Sequence, residues 1–228
     1  MDLSRYDQKL EFILRTAARI FAEKSYHSSS MRDISRATGI SLAGLYHYCK
    51  SKEELLFLIQ DNCFGRVVES LEARLTSARD PIDKLRIFID NHLAFFAANM
   101  AEMKVLSHEA ESLAGDLRAR VSDRKESYTR LARQILSEVQ QSGGSANKQV
   151  DLTVATYALF GMMNWIYNWY NPSGKLAVTD LVDNVTRLYL TGFANGSHDA
   201  TSGWSAIAPV RGVSMWREAG ENNAPETI

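Results

Sequence analysis

Apolar side chains recur at steps of three and four along most of the chain up to residue 194, the spacing of one face of an α-helix. Leu10, Ile13, Leu14, Ala17, Ile20 and Phe21 place such a face on a helix over 7–24. From Ser30 to Leu55 the rhythm breaks into short pieces, each with its own start signal. Ser30 with Asp33 and Ser51 with Glu54 have the form of capping boxes, and Ser41 is placed to cap a further short helix. Gly39 suits the left-handed residue that closes a helix. Met31, Ile34 and Ala37 share one side of the first short helix. Ile40 fills the corner, while Leu45 and Tyr48 face inward from the second, which ends near Tyr48. Two short helices joined by a glycine turn make a helix-turn-helix unit. With helix 7–24 they predict a three-helix head over residues 1–51.

Residues 52–195 read as a helical body. A long helix from Ser51 to about Ser77 joins it to the head. Asp80-Pro81 is a restart, an N-cap followed by proline in the first turn, and the helix behind it carries Leu85, Ile87, Phe88, Ile89, Leu93, Phe95 and Phe96. A shorter helix over 100–113 is broken by Gly115, and 116–141 forms a long amphipathic helix that includes Tyr128. Beyond a loop at 142–145, the run TYALFGMMNWIYNWYNP is almost wholly large and apolar, predicting one helix over 148–170 that is buried on several sides. The segment 178–194, with Val178, Leu181, Val182, Val185, Leu188, Tyr189 and Phe193, predicts a last amphipathic helix suited to pairing with another subunit. In 196–228 Gly, Ser, Asn and Pro rise and periodicity vanishes, leaving an irregular tail with Trp204 and Trp216. The predicted fold class is all-α: an N-terminal three-helix helix-turn-helix head plus a C-terminal helical bundle.

A chain of 228 residues suffices for one substantial core and a small attached domain. The net charge of −1 hides an asymmetry: residues 1–52 hold nine basic and five acidic side chains, the remainder seventeen and twenty-two. A basic head on an acidic body fits contact with DNA at one end. Cys49 and Cys63 lack metal-ligand spacing and read as reduced thiols of a cytoplasmic protein. No apolar run reaches membrane-spanning length, and MDLSRYDQKL has neither the apolar core nor the cleavage site of a signal peptide. The five histidines fall in no H-x-x-x-H spacing, and neither G-x-S-x-G nor a phosphate-binding loop occurs. The sequence therefore predicts no enzyme, no metal and no cofactor; His108, Glu109 and Glu111 read as a solvated face or a pocket rim.

The second short helix has residue types that a major groove accepts. Ala43 and Gly44 are small enough for close backbone approach, and Leu42 suits a thymine methyl. Tyr46 and His47 carry hydrogen-bonding tips, and Lys52 lies in the first turn of the next helix, where a phosphate can be held. Ser30, Arg32 and Ser41, at the two helix starts, complete the candidate DNA-binding set. A bare pattern of this kind also occurs at ordinary helical corners. Here the match is longer. The run MRDISRATGISLAGLYHYCKSKEEL resembles the DNA-binding motif of the TetR family of bacterial transcriptional repressors, with its R-D-I dyad, A-x-x-x-G-(V/I)-S, G-x-(L/I)-Y-x-(H/Y)-(F/Y) core and final K-(D/E)-x-L. It departs at Ser35, where alanine is usual, and at Cys49, where the family generally has phenylalanine. The second change is expected to loosen the packing behind Tyr48.

The resemblance implies a homodimer on a near-palindromic, double-stranded DNA operator, paired through the last two helices, here 148–170 and 178–194. It also implies that a ligand in the body shifts the helix beginning at Ser51 and so changes the spacing of the two recognition helices. GMMNWIYNWYNPSGKL, with LSHEAESLAGDLRARVSDRKESYTRLARQIL upstream, resembles the subgroup that answers to acyl-CoA thioesters and often shows Gly-Met-x-Asn-x-x-x-x-Trp-Tyr. The candidate ligand contacts are Phe96, Met103, His108, Arg124 and Tyr128, with Met162, Asn164, Trp165, Asn168 and Trp169 from the apolar run. Arg118, Arg120, Arg124 and Lys125 would meet CoA phosphates if they stand at a pocket mouth. A free fatty acid or an aromatic drug-like effector remains open. So, from another class, does a helical-bundle enzyme or lipid carrier that does not bind DNA.

Overall fold

The structure is a computed structural model and describes residues 5–109, 111–142 and 150–193; the tail at 196–228 and most of the loop after residue 142 lie outside them. Among the described residues the chain is helical throughout, without strands: α1 Arg5–Lys24, α2 Met31–Thr38, α3 Leu42–Tyr46, α4 Lys52–Leu75, α5 Pro81–Ala98, α6 Met100–His108, α7 Gly115–Ser142, α8 Leu152–Asn164 and α9 Val178–Phe193.

The start signals act as their chemistry requires. The Ser30 hydroxyl accepts the Asp33 N–H and the Asp33 carboxylate accepts the Ser30 N–H at 2.9 Å, a complete capping box. Ser41 caps α3 through the Gly44 N–H, and Ser51 caps α4 through the Glu54 N–H. Asp80 accepts the N–H groups of Ile82 and Asp83. Each such cap contributes about 1 kcal/mol. Gly39 closes α2 at φ 68°, a conformation that would strain a side-chain-bearing residue.

Three boundaries differ from the pattern. The helix α3 stops at Tyr46, since the chain must turn to begin α4 at Ser51. Gly115, at φ 51°, opens α7 rather than merely interrupting a helix, because α6 has already ended at His108. The apolar run is not one α-helix: α8 ends at Asn164 and a 3-10 turn, Trp165–Asn168, follows it. Ile166 and Tyr170 lie inside, and both tryptophans face outward.

The helix α4 packs against α1, α5, α6 and α7, and α5 packs in turn against α7, α8 and α9. One hydrophobic cluster runs from Ile13 and Phe21 through Leu55, Phe88 and Leu93 to Met163 and Tyr189, so α1 shares its core with the later helices. Ser35 does more than replace an alanine: its hydroxyl donates to the Ile40 carbonyl at 2.6 Å and closes the α2–α3 turn. Cys49 is buried in the same cluster.

The turn between α1 and α2 is gripped from two sides. Glu109, buried just past α6, accepts the Tyr26 N–H at 2.9 Å. The Lys52 ammonium donates to the Tyr26 and Ser29 carbonyls at 2.9 and 2.8 Å and lies 4.2 Å from the centre of the Tyr26 ring. Ser112 donates to Glu109 at 2.7 Å, and its hydroxyl lies 3.2 Å from His27 Nε2. Ser25, at φ 67° without being glycine, begins this turn. Such a residue costs about 1–2 kcal/mol unless its surroundings hold it.

Both thiols are buried, and burial is the main reason they are hard to ionise. Cys49 is pushed up to about 11, helped by the charge of Glu54, and Cys63 to about 12, helped by Glu102 and opposed by Arg66. A thiol-specific disulfide reagent at pH 8 should therefore leave the native protein unmodified on the mixing timescale and label both cysteines at once in denaturant. Rapid labelling of the native protein would contradict the packing described.

Candidate functional site

Two surfaces and one cavity carry the candidate residues. On the α2–α3 unit, Arg32, Ser41, Ala43, Tyr46 and His47 are exposed on the outside while Ile34 and Leu45 are buried beneath them. Tyr46 is 50% exposed. Leu42 is half-buried rather than fully exposed, since the first turn of a five-residue helix lies against the corner. Gly44 is small for an internal reason: a Cβ there would lie 2.8 Å from Ile40 Cγ2. The hydroxyls of Ser30 and Ser41 are committed to their caps. Lys52 corrects the expectation most clearly, because its ammonium is turned inward onto the Tyr26 and Ser29 carbonyls instead of standing free for a phosphate. Arg36 and Lys50, outside the expected set, are exposed on this unit.

The cavity, about 230 Å³, lies among α4 to α8. Phe64, Phe96, Met103, Leu106 and Phe160 give it apolar walls, and Ser107, Lys125, Tyr128, Thr129, Tyr157 and Asn164 also line it. One polar chain crosses this apolar space. His92, buried on α5, places Nδ1 3.2 Å from the Tyr128 hydroxyl and Nε2 3.1 Å from Asn164 Oδ1. A neutral imidazole with Nε2–H facing the amide oxygen leaves Nδ1 to accept from the Tyr128 hydroxyl. The His92 and Tyr128 rings stack at 5.9 Å, and Phe88 and Phe160 enclose them. Burial also pushes the Lys125 ammonium below its usual range. A groove of about 850 Å³ between α5 and α9 is larger, yet its rim carries Arg74, Arg86, Asp90, Asp183 and Arg187. That charge suits solvent better than an apolar ligand.

Four of the expected ligand contacts meet here: Phe96, Met103, Tyr128 and Asn164. The others do not. His108 is exposed near the end of α6, edge-on to Tyr167. Arg124 points away and pairs with Asp61 at 3.1 Å, one helical step from the inward-facing Lys125. Met162 packs against the core beside the cavity. Trp165, Asn168 and Trp169 lie outside, on the solvent side of the run; the two tryptophans are 61% and 54% exposed. With Val154, Tyr157 and Gly161 they form an exposed stripe at steps of three and four, and Leu188 on α9 is 66% exposed. His92 is invisible as a site residue along the sequence because a lone histidine in an apolar helix has no spacing partner. Among the described residues no cluster of three potential metal ligands occurs, and no helix is long and apolar enough to cross a membrane.

Residues 13–59 match the family described as bacterial regulatory proteins, tetR family, and residues 78–193 match the tetracyclin repressor-like C-terminal domain. The chain is similar to the fatty acid metabolism regulator protein of Bacillus subtilis (strain 168), 25% identical over 186 residues that cover 80% of this chain and 94% of that protein. It is also similar to the HTH-type transcriptional repressor KstR2 of Mycolicibacterium smegmatis (strain ATCC 700084 / mc(2)155), 27% identical over 195 residues covering 82% and 91%. Among solved structures, AibR in complex with isovaleryl coenzyme A and operator DNA matches with a TM-score of 0.71 and 28% identity, over 82% of this chain and 99% of AibR.

Burial holds the His92 imidazole down at about 3, against a smaller upward pull from the Asn164 hydrogen bond. In the unfolded chain it protonates below about pH 6.5. The native state therefore loses stability as pH falls from about 6.5 towards 3, by at most about 1.4 kcal/mol per pH unit for this proton. Urea midpoints measured between pH 6.5 and 5 should fall less steeply in His92→Phe than in the wild type. An equal slope in both would show that His92 takes up its proton in the native state at no cost.

Proposed function

This chain belongs to the TetR family of bacterial regulatory proteins and is a DNA-binding transcriptional regulator, not an enzyme; from that premise we propose that it represses as a homodimer and is released from its operator by an acyl-CoA thioester. It acts in the cytoplasm, where both DNA and CoA esters are met. The observation that carries the effector reading is the cavity, apolar on most of its walls with a few fixed polar groups, the make-up of a small-molecule site. Lys125 in its lining is a cation that a CoA phosphate would keep charged. The similarity to AibR, a protein seen with isovaleryl coenzyme A and operator DNA, supports the same class of effector.

The outer face of α2 and α3 supports major-groove reading by Ala43, Tyr46 and His47, with Arg32, Arg36 and Lys50 on flanking phosphates. The apolar stripe on α8 with Leu188 on α9 supports pairing of two copies about a two-fold axis. Large exposed aromatics at helical spacing are the surface such an isologous contact removes from water, and two copies of α3 would then address two half-sites.

Release needs differential binding: about 1.4 kcal/mol of preference for the DNA-incompetent arrangement per tenfold loss of operator affinity. The path available is short. Met103, Leu106 and Ser107 line the cavity from α6, and Glu109, just past its end, holds the turn that feeds α2. A ligand that displaces α6 thereby displaces the turn before the recognition unit, along with α4, whose Lys52 grips the same turn.

Fluorescence anisotropy with DNA from the gene's own upstream region tests the reading. The wild type should bind in a salt-sensitive way that survives competitor DNA and is released by a CoA thioester. Tyr46→Ala should weaken binding by roughly tenfold without lowering the urea midpoint. Lys52→Ala should weaken it and also lower the midpoint, because its ammonium holds a turn. Trp165→Glu should sediment as a monomer. Unchanged DNA affinity in Tyr46→Ala would overturn the assigned face.

A further inference from the structure

The cavity is small, and a buried hydrogen-bonded chain ends at one edge of it; these two features together limit what fills it. Its volume of about 230 Å³ is below the ~300–1,000 Å³ of sites for drug-sized ligands. Met103 and Tyr128, both buried, close the interior. Asn164 is exposed at the edge, so the polar chain runs from Tyr128 inside, through His92, out to the Asn164 amide.

The proton order of that chain is set by its partners. The Tyr128 hydroxyl donates to His92 Nδ1, His92 Nε2–H donates to Asn164 Oδ1, and the Asn164 amide nitrogen keeps its two N–H donors. Among the described residues no hydrogen-bond partner takes them. We propose that the cavity selects a short acyl group attached to CoA, and that the Asn164 amide donates to its thioester carbonyl at the cavity edge. The acyl chain then lies against Phe64, Phe96, Leu106 and Phe160, and the CoA moiety leaves past Lys125. A free carboxylate meets no charge at the Asn164 end of this neutral chain, where desolvating an anion is costly; it would have to reach Lys125, the cation that the CoA moiety passes. This inference rests on the acyl-CoA reading of the effector and adds to it the chain length and the recognised group.

The test is calorimetric titration of the full-length protein with CoA, butyryl-, hexanoyl- and palmitoyl-CoA, hexanoate, and S-hexyl-CoA, the thioether in which a methylene replaces the carbonyl. Hexanoyl-CoA is expected to bind at least roughly tenfold more tightly than palmitoyl-CoA, S-hexyl-CoA or hexanoate, the scale of one well-placed hydrogen bond or a misfit chain. In Asn164→Leu the preference for hexanoyl-CoA over S-hexyl-CoA should shrink to under about threefold. Tighter binding of palmitoyl-CoA or hexanoate, or equal binding of ester and thioether by the wild type, would overturn the proposal while leaving a CoA or fatty-acid sensor in place. Failure of every CoA compound to bind would remove the acyl-CoA effector itself. The wild-type comparisons decide the matter even if Asn164→Leu does not fold.

Discussion

The grip on the six residues between α1 and α2 is the constraint on which the rest of the molecule depends. Glu109 accepts the Tyr26 N–H from one side and Lys52 donates to the Tyr26 and Ser29 carbonyls from the other. A buried carboxylate and a half-buried ammonium on the same turn would each be costly alone. Together they satisfy backbone groups that would otherwise be orphaned and hold Ser25 in a left-handed conformation it would not choose. The turn delivers the chain to the Ser30 cap of α2, so its position sets the direction of α2 and, through the Gly39 corner, of α3. Because Glu109 follows α6 and Lys52 opens α4, the outer face of α2 and α3 takes its bearings from two of the helices that line the cavity.

The same two helices line the cavity, α4 through Phe64 and α6 through Met103, Leu106 and Ser107. Close-packed cores do not deform continuously, so under the proposed reading an acyl group that binds there would act by moving rigid helices rather than by being absorbed locally. The His92 chain makes the site demanding in a second way. It keeps a neutral hydrogen-bonding line inside an apolar wall, which fixes Asn164 at the edge. Shape and polarity are thus decided by different residues, the aromatic walls for the first and His92 with its partners for the second.

Much of the head is legible along the chain because caps and glycine corners are local. Ser30 with Asp33, Gly39, Ser41 and Ser51 act where they stand, and Asp80-Pro81 marks the restart of α5 for the same reason. Lys52 escapes sequence reasoning because its partners, Tyr26 and Ser29, lie more than twenty residues away. The apolar run after residue 150 has the pattern of one buried helix; nothing in its composition shows that α8 gives way to a 3-10 turn after Asn164 or that Val154, Tyr157, Trp165 and Trp169 stay exposed. Within the cavity, Phe96, Met103, Tyr128 and Asn164 are found through apolar spacing and family resemblance. Arg124 and His108 sit close to those residues in sequence, yet a single step of helix phase excludes them. Glu109, which reads as a solvated rim, is buried because the α1–α2 turn covers it.

The most direct measurement is the coupling between the two ends: operator affinity of wild type and Glu109→Ala, each with and without saturating acyl-CoA, with ligand binding followed separately in the absence of DNA. If the Glu109 grip carries the signal, the variant still binds the acyl-CoA, but its operator affinity changes by less than about a third of the wild-type response on a logarithmic scale. If Glu109→Ala releases DNA as fully as the wild type when the effector is added, the α1–α2 turn does not link the cavity to the recognition helix, and the central claim fails.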